Sequence, residues 1–156
     1  MKLSWFSIYT IILALWIGGI AIFTFIVTPV IFKSYPRDTA SEIVGKIFPL
    51  YFLYNLFLAA LAMVLFFLVP GDRSNAAYHL SRILVAVAVF INVFITFKLY
   101  PAAVRAKQEV TSFQRESPDS AARKKFTRLH ALSATLNLLL LADGIALLLA
   151  SPSLKK

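Results

Sequence analysis

The sequence predicts an all-α polytopic membrane protein, with four transmembrane helices in an antiparallel bundle. Of its 156 residues, 60% are hydrophobic and 15% charged, and the mean hydropathy is +0.79. A soluble domain is about 45–50% apolar. The charges fall between long apolar runs, and at about 20 residues per crossing the length fits four helices with short connections. This composition argues against a water-soluble enzyme. The chain has no cysteine, which removes disulfides, thiolate nucleophiles and Cys-based metal sites. The net charge of +9 is explained by loop anchoring in a lipid bilayer and by anionic lipid headgroups rather than by nucleic acid.

The first helix is expected at about residues 4–33, because no charge interrupts the run between Lys2 and Lys33. That run is about twice the apolar core of a secretory signal, so it is expected to be retained. Tyr35-Pro36-Arg37-Asp38 reads as a turn, and Thr39-x-x-Glu42 has capping-box spacing, which starts a second helix over about 39–69. Pro49 is its expected kink, and Pro70-Gly71-Asp72 its stop. A third helix over about 76–115 has its uncharged part between Ile83 and Phe97, so Arg82 and Lys98 must snorkel to opposite interfaces. Ser117 can cap a fourth helix over about 118–150, with Pro118 at its first position. Helices three and four thereby extend past the membrane as a polar hairpin. No internal repeat or second domain is read from the pattern, and residues 1–156 form one integral membrane domain.

The first and third connections carry eleven Lys and Arg residues, and the opposite side five. The positive-inside rule then places both termini outside the cytoplasm, in the cytoplasmic (inner) membrane if the source is bacterial.

Polar residues inside apolar helices are the informative ones, since an unsatisfied group in hydrocarbon is costly. His130, Ser133 and Asn137 share one face of helix four, and Asn92, Thr96 and Tyr100 recur every four residues on helix three. In an antiparallel hairpin the pairs Asn92/Asn137, Thr96/Ser133 and Tyr100/His130 have nearly constant position sums, which is the signature of shared depth. They define a polar seam: helix-to-helix hydrogen bonding, or a ligand or ion site in which His130 titrates near neutral pH. Asp143 is an intramembrane carboxylate, for which Arg82 is the basic candidate nearest in depth. Ala14 with Gly18, and Ala142, Ala146 and Ala150, have the spacing of close helix packing. His79 and His130 are placed about a bilayer apart, too far to ligate one haem iron, and Met1 and Met63 alone make a poor copper set. No cofactor, metal site or catalytic constellation is expected.

Trp16-Ile17-Gly18-Gly19, Phe23-Thr24-Phe25, Thr28-Pro29 and Phe32 resemble the first helix of the transmembrane-protein-205-like family (domain of unknown function 4149). Gly45-Lys46-Ile47-Phe48-Pro49 with Tyr51-Phe52 resembles its second segment. Asn92 with Pro101 and Arg105 resembles the third, and Phe126-x-x-Leu129-His130 with Ser133 and Asn137-Leu138 the fourth. The resemblance implies a compact four-helix membrane protein of a family linked to platinum-drug tolerance and to transport or export. It also places Gly18, Gly19, Pro29, Pro49, Pro101, Asn92, His130, Ser133 and Asn137 on the family pattern. The residues themselves point to a non-enzymatic protein that binds or passes a small solute or ion through the seam. The alternative is a structural or regulatory protein whose basic hairpin at Arg123-Lys124-Lys125 docks a cytoplasmic partner or anionic lipid.

Overall fold

The computed structural model describes residues 4–69 and 73–154. Lys2, Lys155 and Lys156 of the charge count, and the Pro70-Gly71-Asp72 stop, lie outside the described residues. Among those described there are four long helices and no strand. They are α1 (Trp5–Ser34), α2 (Arg37–Leu68), α3 (Ala76–Gln108) and α4 (Ala121–Ala150), and a short 3-10 turn at Ser151–Leu154 follows. All four helices are long and apolar enough to cross a bilayer. The packing is square: α1 and α3 each touch α2 and α4, and stand diagonally opposite one another.

Each helix turns a stripe spaced by threes and fours toward the centre. On α1 the stripe is Tyr9, Leu13, Trp16, Ile20 and Phe23; on α3 it is Tyr78, Ser81, Val85, Ala88 and Asn92. The outward faces carry Leu50, Phe57, Phe90 and Leu149, an apolar surface that lipid chains satisfy and water does not.

The helix ends differ from the sequence reading. Helix α2 begins at Arg37 behind Pro36, with no side-chain cap, and Glu42 pairs with Lys46 (2.8 Å) instead of closing a capping box with Thr39. Helix α3 stops at Gln108, not near residue 115, and α4 starts at Ala121, where Ser120 Oγ accepts from Arg123 N (3.2 Å). Ser117 Oγ instead accepts from Asp119 N within the connector. The hairpin is therefore two helices joined by residues 109–120, whose hydroxyl and carboxylate side chains take up backbone groups that a helix would use.

Both α1 and α3 contain one widened π turn, Phe23–Val27 and Ile95–Leu99. Each is followed two positions later by a proline, Pro29 or Pro101. A proline ring in a regular helix collides with the carbonyl four residues back. Here the chain widens just before it, and Thr28 N–H and Tyr100 N–H reach back five residues, to Phe23 O and Ile95 O. Pro49, by contrast, sits inside the unbroken α2.

These two turns expose a pattern that the sequence reading missed. Thr24-Phe25 and Pro29 recur 72 positions on as Thr96-Phe97 and Pro101. Asn55 and buried Leu58, Ala62 and Leu65 of α2 recur 82 positions on as Asn137, Leu140, Gly144 and Leu147 of α4. The hairpins α1–α2 and α3–α4 therefore repeat one plan.

The small residues divide. A Cβ on Gly19 would lie 2.5 Å from Tyr54 Cε1, and one on Gly144 2.9 Å from Ile17 Cγ1, so both permit close helix approach. Gly18 has nothing within 4 Å, and Ala14 and Ala142 are exposed. Ala14 and Ala142 thus lie on outward faces, while Gly18, Ala146 and Ala150 are half-buried.

Candidate functional site

At the basic end of the bundle a cleft of about 370 Å³ opens between the helix ends and the connector. Its walls are apolar: Phe32 of α1, Val44, Phe48 and Phe52 of α2, Ala103 and Val104 of α3, and Phe126 of α4. Its floor is aromatic, with Phe48 and Phe52 stacked at 5.3 Å and Tyr100 against Phe52 at 5.4 Å. Of the lining residues Arg37, Lys107 and Arg123 are cations, and His130 lines the cleft two turns deeper on α4 than Arg123. Among the described residues that line the cleft there is no carboxylate.

Each cation is positioned by its element. Lys107, in the last turn of α3, crosses to α2 and donates to Ser41 O (2.6 Å). Gly45 leaves room for it, since a Cβ there would come within 3.1 Å of Lys107 Nζ. Arg123, in the first turn of α4, donates to Glu116 O and lies 5.9 Å above the Phe113 ring, a cation–π geometry. His130 stacks nearly parallel on Phe126 at 5.8 Å. The Arg37 side chain has no ion-pair or hydrogen-bond partner among the described residues.

The connector roofs one side of the cleft through Phe113. Asp38 of α2 holds it, accepting from Ser112 Oγ (2.7 Å) and Phe113 N (2.6 Å). Glu116 braces it from within, accepting from Thr111 N (2.9 Å) and Ser120 Oγ (2.5 Å). The Ser120 hydroxyl, followed by the Thr111 amide, holds the Glu116 carboxyl below the usual glutamate range.

One turn beyond the aromatic floor lies a polar layer at the level of the two π turns. Asn137 of α4 accepts from Tyr51 OH of α2 (2.7 Å) and donates to Thr24 Oγ1 of α1 (2.9 Å), joining three helices. Asn55 Nδ2 donates to Tyr51 O of its own helix (2.8 Å), while its Oδ1 is buried without a partner; so is Thr96 Oγ1 of α3. π turns recur at functional sites, and here two of them frame one layer.

The structure divides the predicted seam. Tyr100, His130 and Ser133 line the cleft together. Asn137 turns instead toward α1 and α2, and Asn92 donates back to Ala88 O of its own helix (2.9 Å). None of the three expected cross-helix pairs forms a hydrogen bond among the described residues. Asn137 bonds to Tyr51 of α2 and Thr24 of α1, so the azimuth expected for it, toward α3, is not the one observed. Asp143 also departs from expectation. Its Oδ2 is buried without a partner, and it makes no ion pair with Arg82, which projects from the exposed face of α3 beside the buried stripe. Of the basic hairpin residues, Lys124 pairs with Asp119 (3.0 Å) and Lys125 with Glu109 (2.6 Å). No cluster of three or more His, Cys, Asp or Glu residues that could hold a metal occurs among the described residues. The cationic mouth was missed in the sequence because Arg37, Lys107 and Arg123 sit at three different helix ends.

Together these features define an integral membrane four-helix bundle, built from two like hairpins, with an apolar cleft and a cationic mouth at one end. Residues 11–112 match the family described as a domain of unknown function (DUF4149), and the chain belongs to that family. No curated protein and no solved structure matches it.

Proposed function

We propose that the protein is a non-enzymatic membrane binder, with its basic end on the cytoplasmic side. Its ligand is a small single-chain amphiphile with an anionic head. The observation that carries this reading is the pairing of apolar, aromatic walls with the cations Arg37, Lys107 and Arg123 and no carboxylate among the described lining residues. A volume of about 370 Å³ stands at the low end of the roughly 300–1,000 Å³ range of small-molecule sites, which favours one chain over two. Lys107 and Arg123 each keep N–H donors beyond the one spent on a backbone carbonyl. A carboxylate or phosphate head would draw on those charge-assisted bonds. Passage of such a solute across the membrane is a further step of the same reading, in keeping with the resemblance to the transmembrane-protein-205-like family. The alternative of docking through Arg123-Lys124-Lys125 has less support, because Lys124 and Lys125 are ion-paired within the chain, with Asp119 and Glu109.

The test is equilibrium binding of dodecanoate to the protein in neutral-lipid nanodiscs. Lys107→Ala and Arg123→Ala should each weaken binding about tenfold or more, as the loss of a hydrogen bond to a charged group implies. Lys125→Ala, outside the cleft, should leave it unchanged. Equal affinity for dodecanoate and for a dodecyl quaternary ammonium would overturn the reading.

A further inference from the structure

We propose that a second, outer groove between α3 and α4, at the basic end of the bundle, binds the head of a membrane phospholipid that carries two phosphate charges. The groove has a volume of about 690 Å³. Arg105 and Glu109 supply its charges from the α3 side, Lys124, Lys125 and Arg128 from α4, and Leu129 gives it an apolar patch. It shares no described lining residue with the cleft, so its occupant does not depend on what the cleft holds.

The charge balance of the lining sets the charge of the ligand. Lys125 Nζ lies 2.6 Å from Glu109 Oε1, and Lys124 Nζ 3.0 Å from Asp119 Oδ1, so each ammonium already has a carboxylate. The Arg105 and Arg128 side chains have no ion-pair or hydrogen-bond partner among the described residues. Arg105 stands in the last turn of α3 and Arg128 about two turns into α4, so each helix brings one unpaired guanidinium to the same groove. A guanidinium offers its N–H donors as a planar fork that matches a phosphate bidentately. One phosphodiester satisfies one fork, and two forks suit a head with two.

The surface next to Arg128 makes that ligand a lipid. Leu132 and Leu139, four and eleven residues further along α4, share its helix face. Both are exposed, part of the outward apolar surface that acyl chains cover. Arg128 stands where this row ends, about 6 Å beyond Leu132 along the axis, and a head held there leaves its chains lying on the row. On α3, Arg105 likewise follows outward-facing Phe97 toward the same end. Basic pockets between membrane helices recognise multiply charged lipid heads in this way. A soluble phosphate has the same head chemistry without the chains, and the experiment separates the two.

The selecting pair therefore differs from the basic run Arg123-Lys124-Lys125. Within that run Arg123 lines the cleft instead, and the two lysines border the groove from their paired positions. A fork is also a sharper requirement than a charge: lysine at either arginine position keeps the charge and loses the bidentate geometry. Attraction of the whole basic end to an anionic surface would be indifferent to that exchange.

Native mass spectrometry of the full chain in detergent, titrated with tetraoleoyl cardiolipin or with dioleoylphosphatidylglycerol, gives a dissociation constant for the first lipid bound. The wild type should hold the two-phosphate lipid about tenfold more tightly than the one-phosphate lipid, as one further charge-assisted contact implies. Arg105→Ala and Arg128→Ala should each remove that preference, and Arg105→Lys and Arg128→Lys should weaken it. Arg115→Ala, which deletes an exposed cation of the connector outside the groove, should leave it unchanged. Both groove arginines are exposed, so unfolding midpoints should hold; the lysine variants carry the test if an alanine variant lowers its midpoint. Equal constants for the two lipids, a preference that survives at both arginine positions, or an equal loss in Arg115→Ala overturns the proposal. Displacement of the lipid by equimolar pyrophosphate also overturns it, showing a site for soluble phosphates. Each of these results leaves the cleft reading standing.

Discussion

Replacing Asn137 with leucine should destabilise the bundle, whereas the same replacement at its repeat-mate Asn55 should not. Asn137 makes two bonds across helices, from Tyr51 OH at 2.7 Å and to Thr24 Oγ1 at 2.9 Å. Such bonds in membrane bundles contribute about 0.6 kcal/mol on average and about 1.7 at most, so losing both costs about 1–3 kcal/mol. Part of that cost is the Tyr51 hydroxyl, which is left on a buried residue. Leucine is close to asparagine in size, so a cavity adds little. Asn55 loses one bond to a carbonyl of its own helix and sheds an unpaired acceptor, terms that nearly cancel. Equilibrium unfolding in bicelles by added ionic detergent, followed by the fluorescence of fully buried Trp16 with Trp5 replaced by phenylalanine, measures both. Asn137→Leu should fall at least about 1 kcal/mol below Asn55→Leu. Equal stabilities, or the reverse order, would refute the account of the polar layer.

The adjacent glycines of α1 should respond with opposite signs. Gly19→Ala drives a Cβ to 2.5 Å from Tyr54 Cε1 and displaces the Tyr54 hydroxyl from Leu15 O, costing about 1 kcal/mol or more. Gly18→Ala, with open space around it, should gain up to about 1 kcal/mol from helix propensity, and the same unfolding assay reads both. Asp38→Asn should loosen the connector from α2, seen as faster tryptic cleavage after Arg115 than in the wild type; an unchanged rate would show that Asp38 does not hold it. Glu116 sets a pH dependence. Its carboxyl is held below the ordinary glutamate value by Ser120 and Thr111, so its contribution is present above that value and is lost as pH falls through the lowered one. Hydrogen exchange at the Thr111 amide, measured against a Glu116→Gln control, should lose protection across that acid window in the wild type alone.

The first two helices were legible because charge-free runs longer than a bilayer crossing have no other stable use, and the last two because their apolar runs reach bilayer length once Arg82 and Lys98 snorkel and Asp143 is accommodated; the helix ends were less so. Thr111, Ser112, Ser117 and Ser120 all carry side chains that compete for backbone groups, and which of them wins depends on Asp38, far off in sequence. Convergence was legible for Tyr100, His130 and Ser133, which line one cleft. Azimuth was not, because position sums fix the height of a residue on a helix but not which of two neighbours it faces, and Asn137 faces Tyr51 and Thr24. The repeat was present in the text of the chain, in Thr24-Phe25…Pro29 and Thr96-Phe97…Pro101. Side chains between these positions differ enough to hide it until both were found on π turns. The mouth is a tertiary product: Arg37, Lys107 and Arg123 come from the ends of three helices that meet only in the fold.

Photolabelling with a dodecanoate that carries a diazirine near its tail, followed by peptide mass spectrometry, reads the occupied surface residue by residue. Labels should concentrate on Val44, Phe48, Phe52, Ala103 and Val104 of the cleft walls, be displaced by excess dodecanoate, and fall sharply in Lys107→Ala. Labels spread over the outward-facing Leu50, Phe57, Phe90 and Leu149, indifferent to competitor and to Lys107, would show that the protein meets the probe only as bulk lipid.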